Sequence, residues 1–543
     1  MASTNFEFHL SNMISNFLSE LSRFIFVSWS WWWDGLTENP TSRVTPTLVA
    51  ATLLAISLYV WLIKKPFTSS VPPLPPGPLG LPLLGNLPFL EPDLHRYFAK
   101  LSEIYGPIMK LQLGRKICVV ISSPSLAKQV LKDYDAIFSN RDPTVAAIAS
   151  TYGGDIAWSP NGPEWRKLRK ILIQEIMSKT SLDSCHTFRR QEVRKMVKEV
   201  YAKAGSPINI GEQMFLTILN VIMRMAWGAS LNEEDILRVG IQFRQVVDEF
   251  IDLWGAPNVS DLFPILARFD LQGVESKVKK LSSWFDKMFE SLIDSRTKDH
   301  QAGGENKEGK GSNKDFLEIL LDDSSLSMNQ VKALLLDTFL GGTHTTSTTI
   351  EWLMAELLRH PEIMRKACKE LEEVVGKDNI VEEFHTSKLH YLDAILKETL
   401  RLHPALPLLV PRSSCTAQTI SEYTIPKGSR VLFNVWAMQR DPEAWENPLE
   451  FQPERFLRDA GKGEYKGNNY NFLPFGSGRR ICPGISLAEK MILYVVSTLL
   501  HSFEWNIPHG TTLDLSEKFG LVTKMQEPLI AIPIAYSSSE HFV

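Results

Sequence analysis

One cysteine lies in a frame of glycine, phenylalanine and arginine residues that suits the binding of a flat ligand. The frame reads F-x-x-G-x-R-x-C-x-G, and its fixed positions are Phe475, Gly478, Arg480, Cys482 and Gly484. Glycines on both sides let the backbone close beneath a planar group, and backbone N–H groups in such a loop stabilise a thiolate. Arg480 can reach a carboxylate at the edge of the same group. The pattern therefore favours a haem with a cysteine thiolate ligand over a buried structural cysteine.

A second group of residues that could do chemistry lies within a long stretch of helical character. Ser327 is a good N-cap residue, and Met328–Arg359 continues this character up to Pro361. Within it, Gly341–Thr346 reads G-G-T-H-T-T, and two glycines weaken a helix by roughly 2 kcal/mol relative to alanine. We therefore predict one long helix with a local bulge that holds water beside a ligand. The alternative is a contact of small residues between two packed helices.

Two further pairs of residues lie at helical spacing. Trp165 and Arg169 lie one turn apart, so a helix there can present an indole N–H and a guanidinium to one anionic group. Glu398 and Arg401 share another helix face, and the later segment Pro453–Phe456 supplies a second arginine. A surface salt bridge would contribute under about 1 kcal/mol, but the flanking pattern favours a buried structural ion cluster.

These residues need a frame of helices with a few short strands. Apolar runs punctuated by glycine and proline predict a small sheet between residues 79 and 125, with strands at Ile108–Leu113 and Ile117–Ile121. Helical periodicity dominates from about 125 to 410, apart from the polar segment Gly303–Asp315, which we predict to be a mobile surface loop. Short strands are expected again near Ser421–Phe433. The prediction is a mainly α protein with small β sheets (α+β) and a single catalytic domain.

The amino-terminal part contains a candidate membrane anchor. Pro46–Ile63 has eighteen residues without a charge, which as a helix would span about 27 Å. Lys64 and Lys65 follow, so the positive-inside rule places the rest of the chain in the cytosol. No small-residue cleavage site follows, which disfavours a signal peptide. We predict an anchor over residues 44–63, an extension of undetermined role over 1–43, a proline-rich hinge over 64–80 and the catalytic domain over 81–543.

Composition narrows the possible functions. A net charge of −4 and the lack of a long basic run argue against nucleic-acid binding. The five cysteines are scattered without a C-x-x-C pair, so a disulfide framework or a cysteine-rich zinc site is not expected. We expect the protein to work in a reducing compartment. Gly476–Gly478 does not open a G-x-G-x-x-G dinucleotide fingerprint. Electrons for redox chemistry would therefore come from a separate protein.

In order along the chain, these motifs resemble those of the cytochrome P450 monooxygenases. The resemblance runs from the proline-rich hinge to about Pro533, and it is strongest for plant microsomal enzymes of specialised metabolism. Phrases such as Y-G-G-D-I-A-W-S-P-N-G-P-E-W-R are similar to the plant group that contains sesquiterpene (cadinene) hydroxylases and some flavonoid hydroxylases. The implied fold is the cytochrome P450 fold, and the implied location of the single-pass protein is the endoplasmic reticulum membrane.

The resemblance also implies a cofactor and its contacts. Haem b would be bound with Cys482 as the iron ligand, within the loop that contains Phe475, Gly478, Arg480 and Gly484. Trp165, Arg169 and Arg412 stand where the family contacts the haem propionates. Electrons from NADPH would arrive through the flavoprotein NADPH–cytochrome P450 reductase.

The long helix resembles the oxygen-activation motif A/G-G-x-D/E-T-T, with one departure. Thr345 stands at the position of the family's oxygen-binding threonine, which implies a role in proton delivery. His344 replaces the usual carboxylate. An imidazole with an ordinary pKa near 6.5 can also relay protons, so we interpret His344 as tuning the proton supply and not abolishing it.

Three functions are compatible with these residues. The first is a monooxygenase that hydroxylates a terpenoid or flavonoid, since the expected walls (Thr144–Tyr152, Thr338–Thr346, Ala405–Val410 and Phe519–Thr523) are chiefly apolar. The second is an isomerase or dehydratase that acts on an oxime or hydroperoxide without external electrons. The third is a non-catalytic haem protein. Thr345 favours the first, because the other two have no need of oxygen protonation.

Overall fold

The computed structural model describes most of the catalytic domain. The described residues are 72–151, 154–228, 233–302, 315–458 and 463–536, together with positions 51, 54 and 55. The predicted extension and anchor therefore lie almost wholly outside the described residues, as do residues 303–314 of the predicted surface loop. Among the residues that are described, no helix has both the length and the apolar character needed to cross a membrane.

Helices form most of the described domain. In chain order they are α1 Leu94–Tyr105, α2 Pro124–Lys128, α3 Asp135–Phe138, α4 Val145–Ser150, α5 Pro163–Ile171, α6 Lys179–Ser184, α7 His186–Tyr201, α8 Ile210–Trp227, α9 Glu233–Gly255, α10 Val259–Leu262, α11 Val274–Ala302, α12 Phe316–Asp322, α13 Met328–Arg359, α14 Pro361–Val375, α15 His390–Leu402, α16 Val435–Met438, α17 Glu454–Arg458 and α18 Ile485–Ser502. Short 3₁₀ turns include Leu87–Phe89, Pro264–Phe269, Glu383–Lys388 and Gly478–Arg480. Segments Gln129–Asp133 and Leu172–Ile176 continue α2 and α5 as π-helical turns.

The strands form small sheets at the edge of the helical body. They are β1 Ile108–Leu113, β2 Lys116–Ile121, β3 Ile208–Asn209, β4 Arg412–Ser413, β5 Gln418–Ile420, β6 Tyr423–Ile425, β7 Arg430–Phe433, β8 Phe503–Asn506, β9 Glu517–Lys518, β10 Lys524–Met525 and β11 Ile530–Ala535. The largest sheet has the order β1-β2-β7-β4, in which only the β2–β7 pair is parallel. The predicted strands at 108–113 and 117–121, and the prediction of a mainly α protein with small sheets, are confirmed.

The proline-rich segment is bonded to two of these sheets. The Pro73 carbonyl accepts a hydrogen bond from the Thr424 amide in β6, and the Pro76 carbonyl accepts one from the Lys110 amide in β1, both at 2.8 Å. Proline carbonyls remain available as acceptors although the ring removes the N–H donor. The described end of the hinge, residues 72–80, is therefore attached along the domain.

The long helix α13 begins and ends where the sequence predicts. The Ser327 hydroxyl accepts from the Gln330 amide, and the Gln330 side chain accepts from the Ser327 amide, so a capping box fixes its first turn. The predicted bulge is wrong, because the helix is continuous from Met328 to Arg359. Packing along α8 holds the glycine-rich turn in place: a Cβ added to Gly342 would lie 2.7 Å from Ile222 Cδ1. At this position, the small-residue contact between helices is confirmed.

A buried ion cluster ties α15 to the segment that precedes the cysteine loop. Glu398 and Arg401 are fully buried and form two hydrogen bonds, at 2.7 and 2.8 Å. Arg455 Nε lies 3.0 Å from Glu398 Oε1, and the Gln452 amide donates to the same oxygen at 2.8 Å. The remaining Arg401 donors bond to backbone carbonyls, including that of Gln439 at 2.8 Å. The sequence prediction of a buried structural cluster is confirmed.

We expect Glu398→Gln to lower the free energy of unfolding by about 3–5 kcal/mol, because two arginines lose their shared carboxylate in a site shielded from water. The matched control is Glu373→Gln. Its partner Lys369 lies 3.7 Å away and the two side chains are 66% and 77% exposed, so the loss should stay under about 1 kcal/mol. Urea unfolding followed by circular dichroism measures both variants. Equal losses would contradict the structural role of Glu398.

Candidate functional site

The loop that carries Cys482 is a tight turn that only glycine permits at two points. Gly476 and Gly478 have φ angles of 72° and 67°, in the left-handed region. A Cβ on Gly478 would lie 2.5 Å from Asp135 Oδ1, so no side chain fits there. The Cys482 amide donates to the Phe475 carbonyl at 3.0 Å, which closes the loop immediately before α18. The five residues of the sequence frame are therefore brought together in one turn.

The Cys482 sulfur faces groups that favour its thiolate form. Burial raises the pKa of the Cys482 thiol, while the Gly484 amide and the Arg169 guanidinium act in the opposite direction. Arg169 also donates to the carbonyl of Ile481, the residue before the cysteine. A soft sulfur donor with an N–H group and a cation beside it is the donor set that a haem iron requires from a proximal cysteine.

Four guanidinium groups gather beside this loop, from Arg141, Arg169, Arg412 and Arg480. Burial, followed by repulsion from neighbouring arginines, lowers the pKa values of Arg141, Arg412 and Arg480, and burial lowers that of Arg169. The Asp135 and Asp155 carboxyls offset part of this positive charge, and Tyr470 and Cys482 make further anionic contributions at Arg412 and Arg169. The excess of buried positive charge fits a ligand with two carboxylates, as haem has.

The four arginines donate hydrogen bonds to different partners. Arg412 donates to Asp135 Oδ1 at 2.9 Å and to the Ser477 carbonyl at 2.5 Å. Arg141 was not identified from the sequence, and it donates to the carbonyls of Ala157, Val410 and Pro411 at 2.6–2.9 Å. Its only sequence signal is an arginine in a segment without helical periodicity, which does not distinguish it from a surface residue.

Trp165 is placed differently from the sequence expectation of a free indole donor. Its Nε1 donates to the Ile156 carbonyl at 3.1 Å. The Arg480 and Arg169 guanidinium carbons lie 3.9 and 5.6 Å from the indole ring centroid. The ring therefore offers its face to two cations, which steadies both through cation–π attraction.

Thr345 and His344 lie on different faces of α13. The Thr345 hydroxyl donates to the Gly341 carbonyl at 2.7 Å, and a Cβ added to Gly341 would meet nothing within 4 Å. Since residues four apart share a helix face, Gly341 and Thr345 border open space together. His344 is buried and bonds elsewhere, so the two side chains that the sequence paired are not in contact with each other in the described hydrogen-bond network.

His344 belongs to a polar cluster that joins three elements. Its Nε2 lies 3.0 Å from Asp248 Oδ1 in α9, and Lys524 Nζ of β10 lies 2.8 Å from the same oxygen. Thr348 Oγ1 lies 3.4 Å from His344 Nδ1. Although burial acts against it, hydrogen bonds from His344 and Lys524 lower the pKa of Asp248, so this carboxylate only accepts and His344 Nε2 carries the proton. Sequence periodicity gave no signal for either partner.

Segments predicted to form the walls meet around α9 and α13. The Trp254 indole donates to Ser150 Oγ at 3.1 Å, and a Cβ on Gly255 would lie 3.0 Å from the Leu521 amide. The Thr523 amide donates to the Ala405 carbonyl at 2.9 Å. Three of the predicted wall segments are thus brought together next to the long helix.

Two buried histidines differ in the sign of their pKa shift. Burial lowers the pKa of His344. For His403, burial acts in the same direction, but Glu356 at 2.7 Å and Glu517 at 3.6 Å outweigh it and raise the pKa. When a histidine's pKa is lowered in the folded state, its contribution to folding stability is present above the unfolded-state pKa of about 6.5 and is lost as the pH falls. When the pKa is raised in the folded state, that contribution is present below about 6.5 and is lost as the pH rises.

We therefore expect opposite effects from two matched substitutions. His344→Asn should reduce the loss of unfolding free energy between roughly pH 6.5 and 5, because the variant has no buried imidazole to protonate. His403→Asn should reduce the loss between roughly pH 6.5 and 8, because it has no imidazolium to deprotonate. Urea unfolding across this pH range measures both slopes. If both variants changed the pH dependence on the same side of pH 6.5, the two pKa shifts could not have opposite signs.

Comparison with known proteins agrees with this arrangement. The family model described as cytochrome P450 matches residues 75–532. The flavonoid 3′-monooxygenase of Petunia hybrida is 37% identical over 508 residues, which cover 90% of this chain and 97% of that protein. Cytochrome P450 76C2 of Arabidopsis thaliana is 38% identical, covering 89% of this chain and 96% of that protein. A zebra fish cytochrome P450 solved with abiraterone has a TM-score of 0.69 and 27% identity, covering 82% of this chain and all of that one (100%). The chain thus belongs to the cytochrome P450 family and is a haem-dependent monooxygenase.

Proposed function

We propose that this monooxygenase hydroxylates a hydrophobic plant specialised metabolite, with a flavonoid as the first candidate and a sesquiterpene-like terpenoid as the second. The observation that supports a flavonoid substrate is sequence identity to two flavonoid-hydroxylating enzymes. The chain is 37% identical, over about nine tenths of its length, to the flavonoid 3′-monooxygenase of Petunia hybrida and to the flavonoid 3′,5′-hydroxylase of Solanum melongena. The apolar walls favour either class over a charged metabolite. Their side chains include Ala405, Leu406, Leu408, Leu409, Val410, Phe519, Leu521 and Val522.

In this proposal, the loop and the arginine set hold the cofactor. Cys482 would ligate the iron, and the Gly484 amide and Arg169 would stabilise the charge of its thiolate. Arg169, Arg412 and Arg480 balance the propionates, and Trp165 supports two of these cations with its ring. Phe475 and Gly478 shape the loop that carries Cys482. Haem, when bound, supplies the oxygen chemistry.

Thr345 and His344 have separate parts in the proposed reaction. Thr345 borders open space on the long helix, so its hydroxyl can turn from the Gly341 carbonyl to hold a proton beside the reacting oxygen. His344 Nε2 contacts Asp248, which is about one third exposed, so the pair can exchange protons with solvent. Because burial lowers the pKa of His344, we expect its proton exchange to occur at pH values below the ordinary imidazole pKa near 6.5.

Electrons are proposed to come from NADPH through NADPH–cytochrome P450 reductase. A surface cleft of about 290 Å³ lies under the Cys482 loop, and its lining includes Lys132, Lys466 and Ile481. Both lysines are exposed, which suits an acidic partner. The protein is proposed to be held in the endoplasmic reticulum membrane by Pro46–Ile63 with the catalytic domain in the cytosol. Membrane fractionation with and without residues 1–63 tests this location.

A substrate panel tests the function as a whole. Flavonoids, sesquiterpenes and aldoximes are incubated with the membrane-bound enzyme, the reductase and NADPH, and products are identified by mass spectrometry. We expect a flavonoid to gain one oxygen atom, and to do so only when both reductase and NADPH are present. Conversion of an aldoxime without NADPH would favour the dehydratase alternative. Haem binding with no turnover of any class would favour a non-catalytic haem protein.

We expect Cys482→Ser to abolish turnover, because a hydroxyl is a poor replacement for the soft thiolate donor. The measurement is the absorption spectrum of the reduced carbon monoxide complex, whose red-shifted Soret band requires a thiolate ligand. Cys415→Ser is the control, since Cys415 is exposed and should give an unchanged spectrum. A thiolate-type spectrum in Cys482→Ser would exclude this residue as the ligand.

We expect Thr345→Ala to bind haem and substrate but to release several-fold more hydrogen peroxide per NADPH consumed, because the reacting oxygen loses a hydrogen-bond partner. Thr343→Ala is the control, since the Thr343 hydroxyl is buried and donates to the Phe339 carbonyl at 2.7 Å. Peroxide and NADPH are measured in the same assay. Equal peroxide release in the two variants would assign Thr345 to helix packing alone.

A further inference from the structure

The loop at residues 154–160 lies between the long helix and the arginine set, and its carbonyls bond to that set. The Ile156 carbonyl accepts from Arg480 Nη1 and from Trp165 Nε1, both at 3.1 Å. The Ser159 carbonyl accepts from Arg480 Nη2 at 2.6 Å, and the Ala157 carbonyl accepts from Arg141 Nε at 2.9 Å. The position of this loop therefore decides where two guanidinium groups and one indole ring lie.

One side chain of the long helix holds the opposite side of the loop. The Ile156 amide donates to Asp337 Oδ2 at 2.6 Å, although the two residues are 181 positions apart in sequence. Asp337 precedes Gly341 by four residues and Thr345 by eight, so all three follow one face of α13. The carboxyl group is thus a link between the face that carries Thr345 and the loop that carries the arginine contacts.

We propose that Asp337 is a positioning residue that fixes the loop at 154–160, and through it Arg141 and Arg480, relative to the long helix. This inference rests on the proposed role of the arginine set in holding the haem propionates. Asp337 touches neither the cysteine nor the arginines in the described hydrogen bonds, so its influence passes through the backbone amides of Ile156 and Ala157.

The local charges indicate how Asp337 accepts this bond. Although the residue keeps a small accessible surface, its carboxyl lies deep in the domain, and burial followed by the nearby Asp155 carboxylate raises the pKa of Asp337 well above its usual range. Asp155 is itself occupied by hydrogen bonds from the Trp158 amide and from the Ser159 amide and hydroxyl. A neutral Asp337 still offers a carbonyl oxygen to Ile156, and an asparagine offers the same oxygen in the same place.

The test compares three substitutions at one position in the holoenzyme. Asp337→Asn keeps the acceptor, whereas Asp337→Leu has a similar size and removes it. The readout is the rate of haem transfer to excess apomyoglobin, with the reduced carbon monoxide spectrum recorded for each sample. We expect Asp337→Asn to stay within about 2-fold of wild type and Asp337→Leu to release haem on the order of 10-fold faster. If Asp337→Leu does not fold, Asp337→Ala removes the same acceptor without added bulk and carries the same expectation.

Two controls separate positioning from general disturbance of the helix. Ser347→Ala alters a buried side chain of α13 that donates only to the His344 carbonyl within the helix, and it should release haem at the wild-type rate. In an Arg480→Gln background, Asp337→Leu should add less than about 3-fold, because one of the two guanidinium groups that it positions is gone and only Arg141 remains. Fully additive effects, fast release from Asp337→Asn, or slow release from both acceptor-removing variants would each overturn the inference. A wild-type protein without the thiolate-type spectrum would overturn the proposed function itself.

Discussion

Four guanidinium groups, three of them buried, gather beside the loop that carries Cys482, and this concentration of positive charge organises the surrounding segments. Removing cations from water costs several kcal/mol each unless hydrogen bonds replace the lost hydration. Here most of the replacements are backbone carbonyls, and each one requires a loop to turn inwards. The acceptor residues are Ala157, Ser139, Ile156, Ser159, Val410, Pro411, Ser477 and Ile481. Distant segments therefore converge because each supplies a carbonyl to the same buried charge.

The long helix serves this arrangement by presenting different chemistry on different faces. Gly342 packs against Ile222 of α8, which brings the two helices together. Gly341 and Thr345 border open space, and their hydrogen bond satisfies the hydroxyl without breaking the helix. His344 points to α9 and β10. A continuous helix keeps these directions fixed relative to one another, which a bulged segment would not do as well.

Local sequence patterns predicted what local physics controls. The N-cap at Ser327, the end of α13 at Arg359 and the strand at Ile108–Leu113 follow from capping, proline and periodicity, and they are confirmed. The Glu398–Arg401 pair was readable because its spacing places both on one helix face. The bulge was wrong because glycine propensity was outweighed by packing on α8. Asp248 and Asp337 could not be found this way, since their partners lie 96 and 181 positions away.

The replacement of the motif's carboxylate by His344 becomes intelligible only with its partners in place. Asp248 lies against Nε2 of the imidazole, against Lys524 and, at 3.9 Å, against Arg244, so one anion, two cations and one neutral ring form the cluster. A carboxylate at position 344 would face Asp248 directly, and two carboxylates in contact repel each other, so ionising both carries a cost. The side chain at 344 and the side chain at 248 therefore form one electrostatic unit. The family motif has its carboxylate on the long helix. In this chain the corresponding negative charge belongs to Asp248, on α9, which packs against α13.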